Sequence, residues 1–332
     1  MYSACIGEME IQISFIIPIY NCGSLIGRCL DSIFDSGVKT QYFEIIAVDD
    51  GSTDDSTAMV RAYAAKHTNL HLLCQRNNGA SAARNSGLWE ANGKYIWFVD
   101  ADDHIVPEFF VSVIKRLTEG EYPEIFSFNY QEIIPDRVIS RQLFDKEEEM
   151  TGIMFFQRYN NFYLWNKLMR RNVLHHEFLD GTKNLEDLYF CLQNILSCQQ
   201  VKLLPEYGYY YEHSNTASTS LNLSKRNLIK LSDDTLNIQE HILNDMGKLS
   251  QNYKKIYRNT ITETTAGHLY SLLRYYPLQR VRYVLNVYKK WHLYPISART
   301  RNKRMNIFIS LANNKWLLYL GTIINNIRFH RK

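Results

Sequence analysis

Apolar and polar positions alternate in blocks along the first part of the chain, and the blocks predict strands followed by helices. Residues 13–21, 43–48 and 70–74 are short apolar runs, typical of strands that are buried on both faces. Between them, apolar residues recur at helical spacing, as in the stripe that begins with Leu25 and Cys29. This β-α-β-α alternation predicts a mostly parallel sheet with helices on both faces.

The pattern changes further along the chain. Ser52 and Asp55 have the spacing of a capping box, so we expect the second helix to open at this turn. Residues 137–150, with their acidic run, are interpreted as a solvated connection and not as a site. After residue 215 only helical patterns follow. We therefore expect an α/β domain over residues 1–220 and a helical extension over residues 221–332.

A cluster of acids follows the apolar run at residues 95–99. Asp100, Asp102 and Asp103 end this predicted strand, and Asp100 and Asp102 share a face in an extended backbone. Because unpaired buried carboxylates are costly, we expect the cluster at the mouth of the strand, holding a cation or accepting hydrogen bonds. Hard oxygen ligands suit Mg²⁺ or Mn²⁺. The alternative is an acidic turn that caps the following helix.

Cysteines and hydropathy limit the class of protein. The 332 residues include six cysteines with no C-x-x-C pair, so we expect no zinc or redox motif. We expect the cysteines to be free thiols in a reducing cytosol. The first ten residues lack a basic region, and we expect no signal peptide. The longest apolar candidate, residues 316–324, is less than half of the roughly 20 residues that span a bilayer.

Charge is distributed unevenly. Residues 251–332 contain 16 Lys and Arg and one acid, Glu263, whereas residues 1–250 contain 22 basic and 33 acidic residues. Apolar segments with basic and aromatic flanks near the end of the chain fit a helix lying on an anionic membrane surface. The alternative is a helical subdomain that packs on the core with a wet basic face. No nucleic-acid-binding motif accompanies the basic residues, so we expect no nucleic acid partner.

Six segments together resemble glycosyltransferase family 2, a family of inverting enzymes with the GT-A fold. In chain order they are F-I-I-P-I-Y-N from Phe15, V-D-D-G-S-T-D from Val48, N-N-G-A-S-A-A-R-N-S-G from Asn77, F-V-D-A-D-D from Phe98, W-N-K-L from Trp165 and E-D-L-Y-F from Glu186. The resemblance covers about residues 12–220. It implies a Rossmann-like mixed sheet flanked by helices, with a nucleotide-sugar-binding half at residues 1–103 and an acceptor half at residues 104–220.

The resemblance also implies roles for individual residues. Pro18 and Tyr20 would form a wall of the nucleotide base pocket, Asp50 would hydrogen-bond the base, and Arg84 would lie near the nucleotide or sugar. Asp100 would contact the ribose, Asp102 in the DXD motif would bind Mn²⁺ or Mg²⁺, and Asp103 would support them or lie near the sugar. Asp187 would be the general base, supported by Glu186, although acids in a first helical turn also compensate the helix dipole.

Two positions stay open, and one departs from the family pattern. Lys167 would reach the donor phosphates or pack beside Trp165. His213 stands near a position where family members often carry Arg; it would reach the diphosphate or remain a surface histidine. Gly23 occupies a position where many members have an acid, which we interpret as a local difference in the loop.

The expected function is transfer of a hexosyl or N-acetylhexosaminyl group from a nucleotide donor, expected to be a UDP-sugar. The expected acceptor is a hydroxyl of a glycan or lipid-linked oligosaccharide in bacterial capsule or cell-surface polysaccharide synthesis. The expected location is cytoplasmic, with the basic end of the chain peripheral on the membrane. The alternatives are a nucleotidyltransferase of related fold and a catalytically silent nucleotide- or glycan-binding module. A nucleotidyltransferase relies on a basic Gly-rich loop after the first strand, and residues 21–25 contain no cation.

Overall fold

The computed structural model describes residues 10–213 and 224–329. The chain divides into two compact units, Met1–Leu221 and Asn222–Lys332. The boundary expected at residue 220 lies outside the described residues. The strands are β1 Ile13–Ile19, β2 Phe43–Asp49, β3 Leu70–Cys74, β4 Tyr95–Phe98, β5 His104–Ile105, β6 Ile125–Ile134, β7 Arg137–Arg141, β8 Glu148–Met150, β9 Lys167–Arg170 and β10 Val201–Glu212.

Helices connect and follow these strands. In the first unit they are α1 Gly23–Phe34, α2 Ser56–Ala64, α3 Ala80–Glu90, α4 Pro107–Thr118, α5 Gly152–Arg158 and α6 Glu186–Ile195. In the second unit they are α7 Lys225–Met246, α8 Gln251–Tyr275, α9 Leu278–Lys290, α10 Lys303–Ala312 and α11 Lys315–Phe329. The α/β class and the helical C-terminal region predicted from the hydrophobic pattern are confirmed.

The sheet combines a parallel half and a mixed half. Its order is β3-β2-β1-β4-β9-β6-β10-β5, with β7 beside β6 and β8 beside β10. Strands β3, β2, β1 and β4 are parallel, whereas β9 runs antiparallel to both β4 and β6. The carboxyl ends of the parallel strands therefore share one edge, and Tyr20, Asp50 and Asp100 follow there directly.

The core of the first unit explains why β4 ends where the acidic turn begins. Trp97 is fully buried, and its ring lies 5.2 Å from Phe15 and 6.4 Å from Phe110. Its indole Nε1–H donates to the Trp165 carbonyl at 2.8 Å. Apolar side chains thus fix the strand from both faces, and the acids that follow lie at its end.

Two local predictions can be compared with the structure. Helix α2 begins at Ser56, so the helix opens at the predicted turn, but its N-cap residue Asp55 makes no side-chain capping bond and the predicted capping box is wrong. Ser52 Oγ instead accepts the Asn21 backbone N–H at 3.1 Å. The connection at residues 137–150 is largely exposed, as predicted, and it contains β7 and β8; Glu148 pairs with Arg158 at 2.7 Å.

The second unit has its own apolar core, built from α7 to α11. A chain of hydrogen bonds crosses it: His268 Nε2 lies 2.8 Å from Ser232 Oγ, and His268 Nδ1 lies 2.6 Å from the Tyr288 hydroxyl, which donates to Gln239. Burial, together with the nearby charge of Arg280, lowers the pKa of His268 to about 3. The imidazole is therefore neutral and serves to join α7, α8 and α9.

Candidate active site

The turn after β4 separates its acids by depth. Asp100 keeps 31% of its side chain exposed, and its Oδ1 accepts from Arg84 Nη2 at 3.0 Å. Asp102 is also partly exposed, and its backbone carbonyl accepts from Arg28 at 3.1 Å. Asp103 is 1% exposed. The turn therefore presents Asp100 and Asp102 at the edge of the sheet and directs Asp103 into the core.

Asp103 holds β10 and does not border an open site. Its Oδ2 accepts from the Tyr209 hydroxyl at 2.8 Å, and its Oδ1 accepts from the Glu212 backbone N–H at 2.7 Å. Burial raises the pKa of Asp103 well above its ordinary value, and Asp100 and Asp102 raise it further. Both of its oxygens face β10, which fits the supporting alternative for Asp103 and not the position near the sugar.

Arg84 brings together acids that are far apart in the sequence. Its Nη1 lies 3.3 Å from Asp187 Oδ1 and 3.5 Å from Glu186 Oε1, and its Nη2 contacts Asp100. The guanidinium is nearly buried and lies 5.6 Å from the centre of the Phe178 ring. The start of α6 is thereby fixed beside the turn after β4, which lies about 85 residues earlier in the chain.

The segment before α6 is anchored by Asn85, a neighbour of Arg84 that the sequence analysis did not single out. Asn85 Nδ2 donates to the Phe178 carbonyl at 2.9 Å, and its Oδ1 accepts the Phe178 backbone N–H at 2.8 Å. Phe178 in turn stacks on Phe190 of α6 at 3.9 Å. The sequence signal for this role was its place beside Arg84 in the A-R-N-S-G segment.

Asp187 has the electrostatics of a group that exchanges protons near neutral pH. The pKa of this carboxyl is raised to about 7, chiefly by burial; Arg84 and Lys167 act to lower it, and Glu186 and Asp100 act to raise it. Its side chain nevertheless keeps 31% of its surface exposed. A carboxylate that is both accessible and only weakly acidic is suited to accepting a proton.

Two carboxylates at the end of β2 accept hydrogen bonds from the neighbouring loops. Asp49 accepts from the Ser52 backbone N–H and the Thr57 hydroxyl, and it therefore supports the turn between β2 and α2. Asp50 accepts from the Gln75 side chain and from two backbone N–H groups, those of Asn78 and Gly79, each at 2.8 Å. A carboxylate offers about four acceptor positions, so three are used within the protein and one is left, on a side chain that is 3% exposed.

The end of β1 provides an exposed aromatic side chain. Tyr20 is 49% exposed and follows the strand directly, and Pro18 within the strand is partly buried. The next residues are fixed from the β2–α2 turn, where Asp54 Oδ2 accepts the Gly23 backbone N–H at 3.0 Å. Asp54 therefore supplies a carboxylate at the start of α1 from a different loop, at the position where Gly23 departs from the family pattern.

The structure places Lys167 inside the protein. It is fully buried, and its ammonium donates to Asn161 Oδ1 at 3.1 Å, to Asn166 Oδ1 at 3.0 Å and to the Tyr163 carbonyl. Because an ammonium has three donors, all of them have acceptors within the protein. This arrangement fits the packing alternative for Lys167 and not the contact with donor phosphates.

His213 lies at the surface next to residues outside the described part of the chain. Its side chain is 42% exposed, and Nε2 lies 3.6 Å from Glu132 Oε2. Arg28, which the sequence analysis missed, is closer to the acidic turn, where its Nη1 pairs with Glu212 at 3.0 Å while Nη2 contacts Asp102. The helical stripe of α1 gave no signal for this contact.

The carboxylates fit a cation that shares its ligands with a substrate. Within residues 10–213 and 224–329, no group of three His, Cys, Asp or Glu side chains is arranged to hold a metal ion. Asp100 and Asp102 nevertheless offer hard oxygen donors at an accessible edge. Mg²⁺ and similar ions are commonly held by one or two carboxylates together with phosphate oxygens and water. The donor set therefore matches a diphosphate-bound cation.

The model of the family "Glycosyl transferase family 2" matches residues 14–178 of this chain. The chain belongs to glycosyltransferase family 2. The matched range includes strands β1 to β4, the acidic turn and Arg84. Glu186 and Asp187 lie after the end of the matched range. The identification from the six sequence segments is confirmed.

Proteins similar to this family 2 glycosyltransferase include the uncharacterized glycosyltransferase YibD of Escherichia coli K12, with 27% identity over 75% of this chain and 72% of YibD. The poly(ribitol-phosphate) beta-glucosyltransferase of Bacillus spizizenii is 30% identical over 60% of this chain, which spans 32% of that protein. The crystal structure of S. aureus TarS 1-349 in complex with UDP-GlcNAc has a TM-score of 0.62 and 20% identity, covering 91% of this chain and 80% of that one. This likeness supports the GT-A fold.

Proposed function

We propose that this glycosyltransferase moves a hexosyl or N-acetylhexosaminyl group, with inversion, from a UDP-sugar to a hydroxyl of a glycan or lipid-linked oligosaccharide in surface polysaccharide synthesis. The observation that carries the proposal is the bridge from Asp100 through Arg84 to Asp187. It holds the carboxylate of Asp100, at the edge of the sheet where the donor is proposed to bind, beside the carboxylate of Asp187, which is suited to act as a base. The UDP-GlcNAc complex of TarS and the name of the Bacillus relative support the donor and product classes.

Asp187 is the proposed general base. An acceptor hydroxyl is a poor nucleophile near neutral pH, so its proton must pass to a carboxylate as the new bond forms. A pKa of about 7 makes Asp187 basic enough to take that proton and leaves it ionised above neutral pH. Inversion requires one in-line displacement, and the mechanism therefore needs no covalent nucleophile. Glu186, which shares Arg84 with Asp187, is the proposed supporting residue.

The donor is proposed to lie along the edge formed by β1, β2 and the acidic turn. Tyr20 and Pro18 form the base wall, Asp50 accepts from the base with its remaining lone pair, and Asp100 contacts the ribose. Asp102 is the proposed protein ligand of Mn²⁺ or Mg²⁺. Such an ion, when bound, stabilises the negative charge that develops on the leaving diphosphate.

Donor binding is the first test of this proposal. The thermal midpoint of the full chain is measured with UDP, with and without Mn²⁺, for the wild type and for Asp102→Asn. We expect a midpoint increase with UDP that grows with Mn²⁺, and at least a tenfold weaker Mn²⁺-dependent affinity in the variant. Asp136→Asn, at an exposed turn between β6 and β7, is the matched control and should behave as the wild type.

Two results contradict the proposal. If UDP and UDP-sugars leave the midpoint unchanged with and without Mn²⁺, the donor class is wrong. If Asp102→Asn keeps the full Mn²⁺ response, Asp102 is not the ligand. Sugar transfer to a hydroxyl acceptor, followed by analysis of the product anomer, then separates an inverting transferase from a silent binding module.

A cytoplasmic location is also proposed. The described cysteines are all free thiols, which suits a reducing compartment. Labelling of intact and permeabilised cells with a membrane-impermeant thiol reagent tests this through the exposed Cys74. Modification of Cys74 in intact cells contradicts the location.

A further inference from the structure

Helix α11 is apolar on two faces, and one of them is exposed. Leu318 and Thr322 are buried, and a Cβ on Gly321 would lie 2.8 Å from the Leu273 side chain of α8. This face of α11 therefore packs against the other helices of the second unit. The opposite face is exposed and consists of large apolar side chains, namely Trp316 (69% exposed), Leu317 (46%), Leu320 (54%), Ile323 (43%) and Ile324 (45%). These positions follow helical spacing and form one continuous stripe.

Helix α10 also carries exposed apolar side chains. Ile309 and Ala312 are buried, whereas Ile307 is 66% exposed and Leu311 is 55% exposed, one turn apart. The axes of α10 and α11 meet at a bend of 102°. We call the exposed apolar side chains of these two helices the α10–α11 face. Scattered exposed apolar residues are ordinary, but a contiguous set such as the α11 stripe marks an interaction surface.

Cations border the α10–α11 face. Lys303, Arg304 and Lys315 are exposed at the starts of the two helices, and the Lys315 ammonium lies 5.1 Å from the Trp316 ring centre. The sequence from residue 264 to the end contains no Asp or Glu. The surface therefore combines an apolar stripe, an exposed indole and a one-sided positive charge, which is the combination that anionic lipid attracts.

The dimensions favour a helix lying in the membrane surface. Within the described residues no single helix is long and apolar enough to cross a bilayer. The 15 residues of α11 span about 22 Å, less than the roughly 30 Å of a hydrocarbon core. The contact of Gly321 with Leu273 also keeps the inner face of α11 within the protein. A second copy of this chain is a poorer partner, because a twofold contact would place the same cations against each other.

We propose that the α10–α11 face is a monotopic anchor that lies in the interface of an anionic membrane. The apolar stripe enters the boundary of the acyl chains, Trp316 lies at the level of the headgroups, and Lys303, Arg304 and Lys315 contact anionic headgroups. This inference concerns the second unit and does not depend on the proposed sugar transfer.

Vesicle sedimentation tests the apolar part of the anchor. The full chain is mixed with vesicles of phosphatidylglycerol and phosphatidylcholine, and the bound fraction gives a partition coefficient. The variant Leu320→Gln, Ile323→Gln, Ile324→Gln should bind at least tenfold more weakly than the wild type. Because these side chains are exposed, the far-UV circular dichroism spectrum should be unchanged.

A matched control distinguishes this face from exposed apolar surface in general. Met59→Gln, Val111→Gln, Met154→Gln removes three exposed apolar side chains from α2, α4 and α5. This variant should sediment as the wild type does. Equal loss of binding in the control and the α10–α11 variant overturns the assignment of the anchor to this face.

Charge reversal of the vesicle tests the cationic part. The wild type should bind phosphatidylglycerol vesicles at least tenfold more strongly than pure phosphatidylcholine vesicles, and salt should reduce the difference. Lys303→Gln, Arg304→Gln, Lys315→Gln should reduce that preference. Failure of the wild type to bind anionic vesicles overturns the proposal. A concentration-dependent dimer that the Leu320, Ile323 and Ile324 variant abolishes, seen by analytical ultracentrifugation without vesicles, overturns it in favour of a second copy.

Discussion

Asp103 and Asp187 are both carboxyl groups whose pKa is raised by burial, yet their surroundings differ. Asp103 is 1% exposed and accepts hydrogen bonds from Tyr209 and Glu212. Asp187 keeps 31% of its side chain exposed and faces the guanidinium of Arg84. A raised pKa therefore does not by itself identify a catalytic acid or base. Solvent access separates the proposed proton acceptor, whose Oδ1 accepts from Arg84, from the structural carboxyl, whose two oxygens are both bonded to β10 inside the core.

The largest expected effect comes from removing the proposed base. Asp187→Asn keeps the shape of the side chain but cannot accept the acceptor proton, so kcat should fall about 10³-fold, within the usual range for general-base catalysis. The affinity for UDP and Mn²⁺ should be nearly unchanged. Steady-state transfer assays and thermal shifts measure the two quantities separately.

Glu186 provides the control for this prediction. Glu186→Gln changes a neighbouring carboxylate that contacts the same Arg84 nitrogen at 3.5 Å. Its effect on kcat should be at least tenfold smaller than that of Asp187→Asn. If the order of the two effects is reversed, Glu186 is the base and the assignment of roles on α6 is wrong.

Asp103 should show the opposite behaviour. Asp103→Ala leaves the Tyr209 hydroxyl and the Glu212 backbone N–H without their acceptor, and each buried orphan costs about 1–3 kcal/mol. Removal of a poorly solvated acid offsets part of this cost, so we expect a loss of about 2 kcal/mol in the free energy of unfolding. The kcat of the folded enzyme should change less than threefold. Urea denaturation and transfer assays check this, and a kcat loss comparable to Asp187→Asn would place Asp103 in the chemistry.

The pH profile of the wild type tests the pKa of Asp187 directly. The ionised form accepts the proton, so activity is lost as pH falls through the pKa of about 7. The charged groups that set this value are Arg84 on α3, Glu186 on α6, Asp100 after β4 and Lys167 on β9. We expect kcat/KM to be about tenfold lower at pH 6 than at pH 8. A flat profile from pH 8 down to pH 5 would contradict the proposed base.

The contrast between the two acids also marks what the sequence could predict. Apolar runs and helical stripes are local signals, so the order of strands and helices and the position of the acidic turn at the edge of the sheet followed from them. The depth of each acid in that turn did not, because it depends on β10: the partners of Asp103, Tyr209 and Glu212, come more than 100 residues later.

The site residues show the same division. Asp187 could be named from the family resemblance, but the burial that raises its pKa, and its pairing with Arg84 across 103 residues, which lowers it, depend on the folded chain. The ammonium of Lys167 donates to acceptors in the loop at residues 161–166. No pattern in the W-N-K-L segment indicated these hydrogen bonds. Ser52 matched a capping box in spacing, yet its hydroxyl accepts from Asn21 across the edge of the sheet. In each of these cases the contacts of the side chain depend on residues that the local sequence pattern does not include.

The smallest expected effect concerns Tyr209, which connects the buried acid to the accessible turn. Its hydroxyl accepts the Asp100 backbone N–H at 3.1 Å and donates to Asp103 at 2.8 Å, and its ring stacks on Trp165 at 4.7 Å. Tyr209→Phe keeps the stacking and removes both hydrogen bonds. We expect a loss of about 1 kcal/mol in the free energy of unfolding.

The same substitution should loosen the turn that carries Asp100 and Asp102, so the KM for the donor should rise a few-fold. The acid limb of the pH profile should stay in place, because Tyr209 does not contact Asp187. Tyr95→Phe is a matched control, since the Tyr95 hydroxyl is also buried and donates to the Pro123 carbonyl, away from the turn. It should cost similar stability and leave the donor KM unchanged. Equal KM values in the two variants would mean that Asp103 and Tyr209 stabilise β10 without positioning the donor edge.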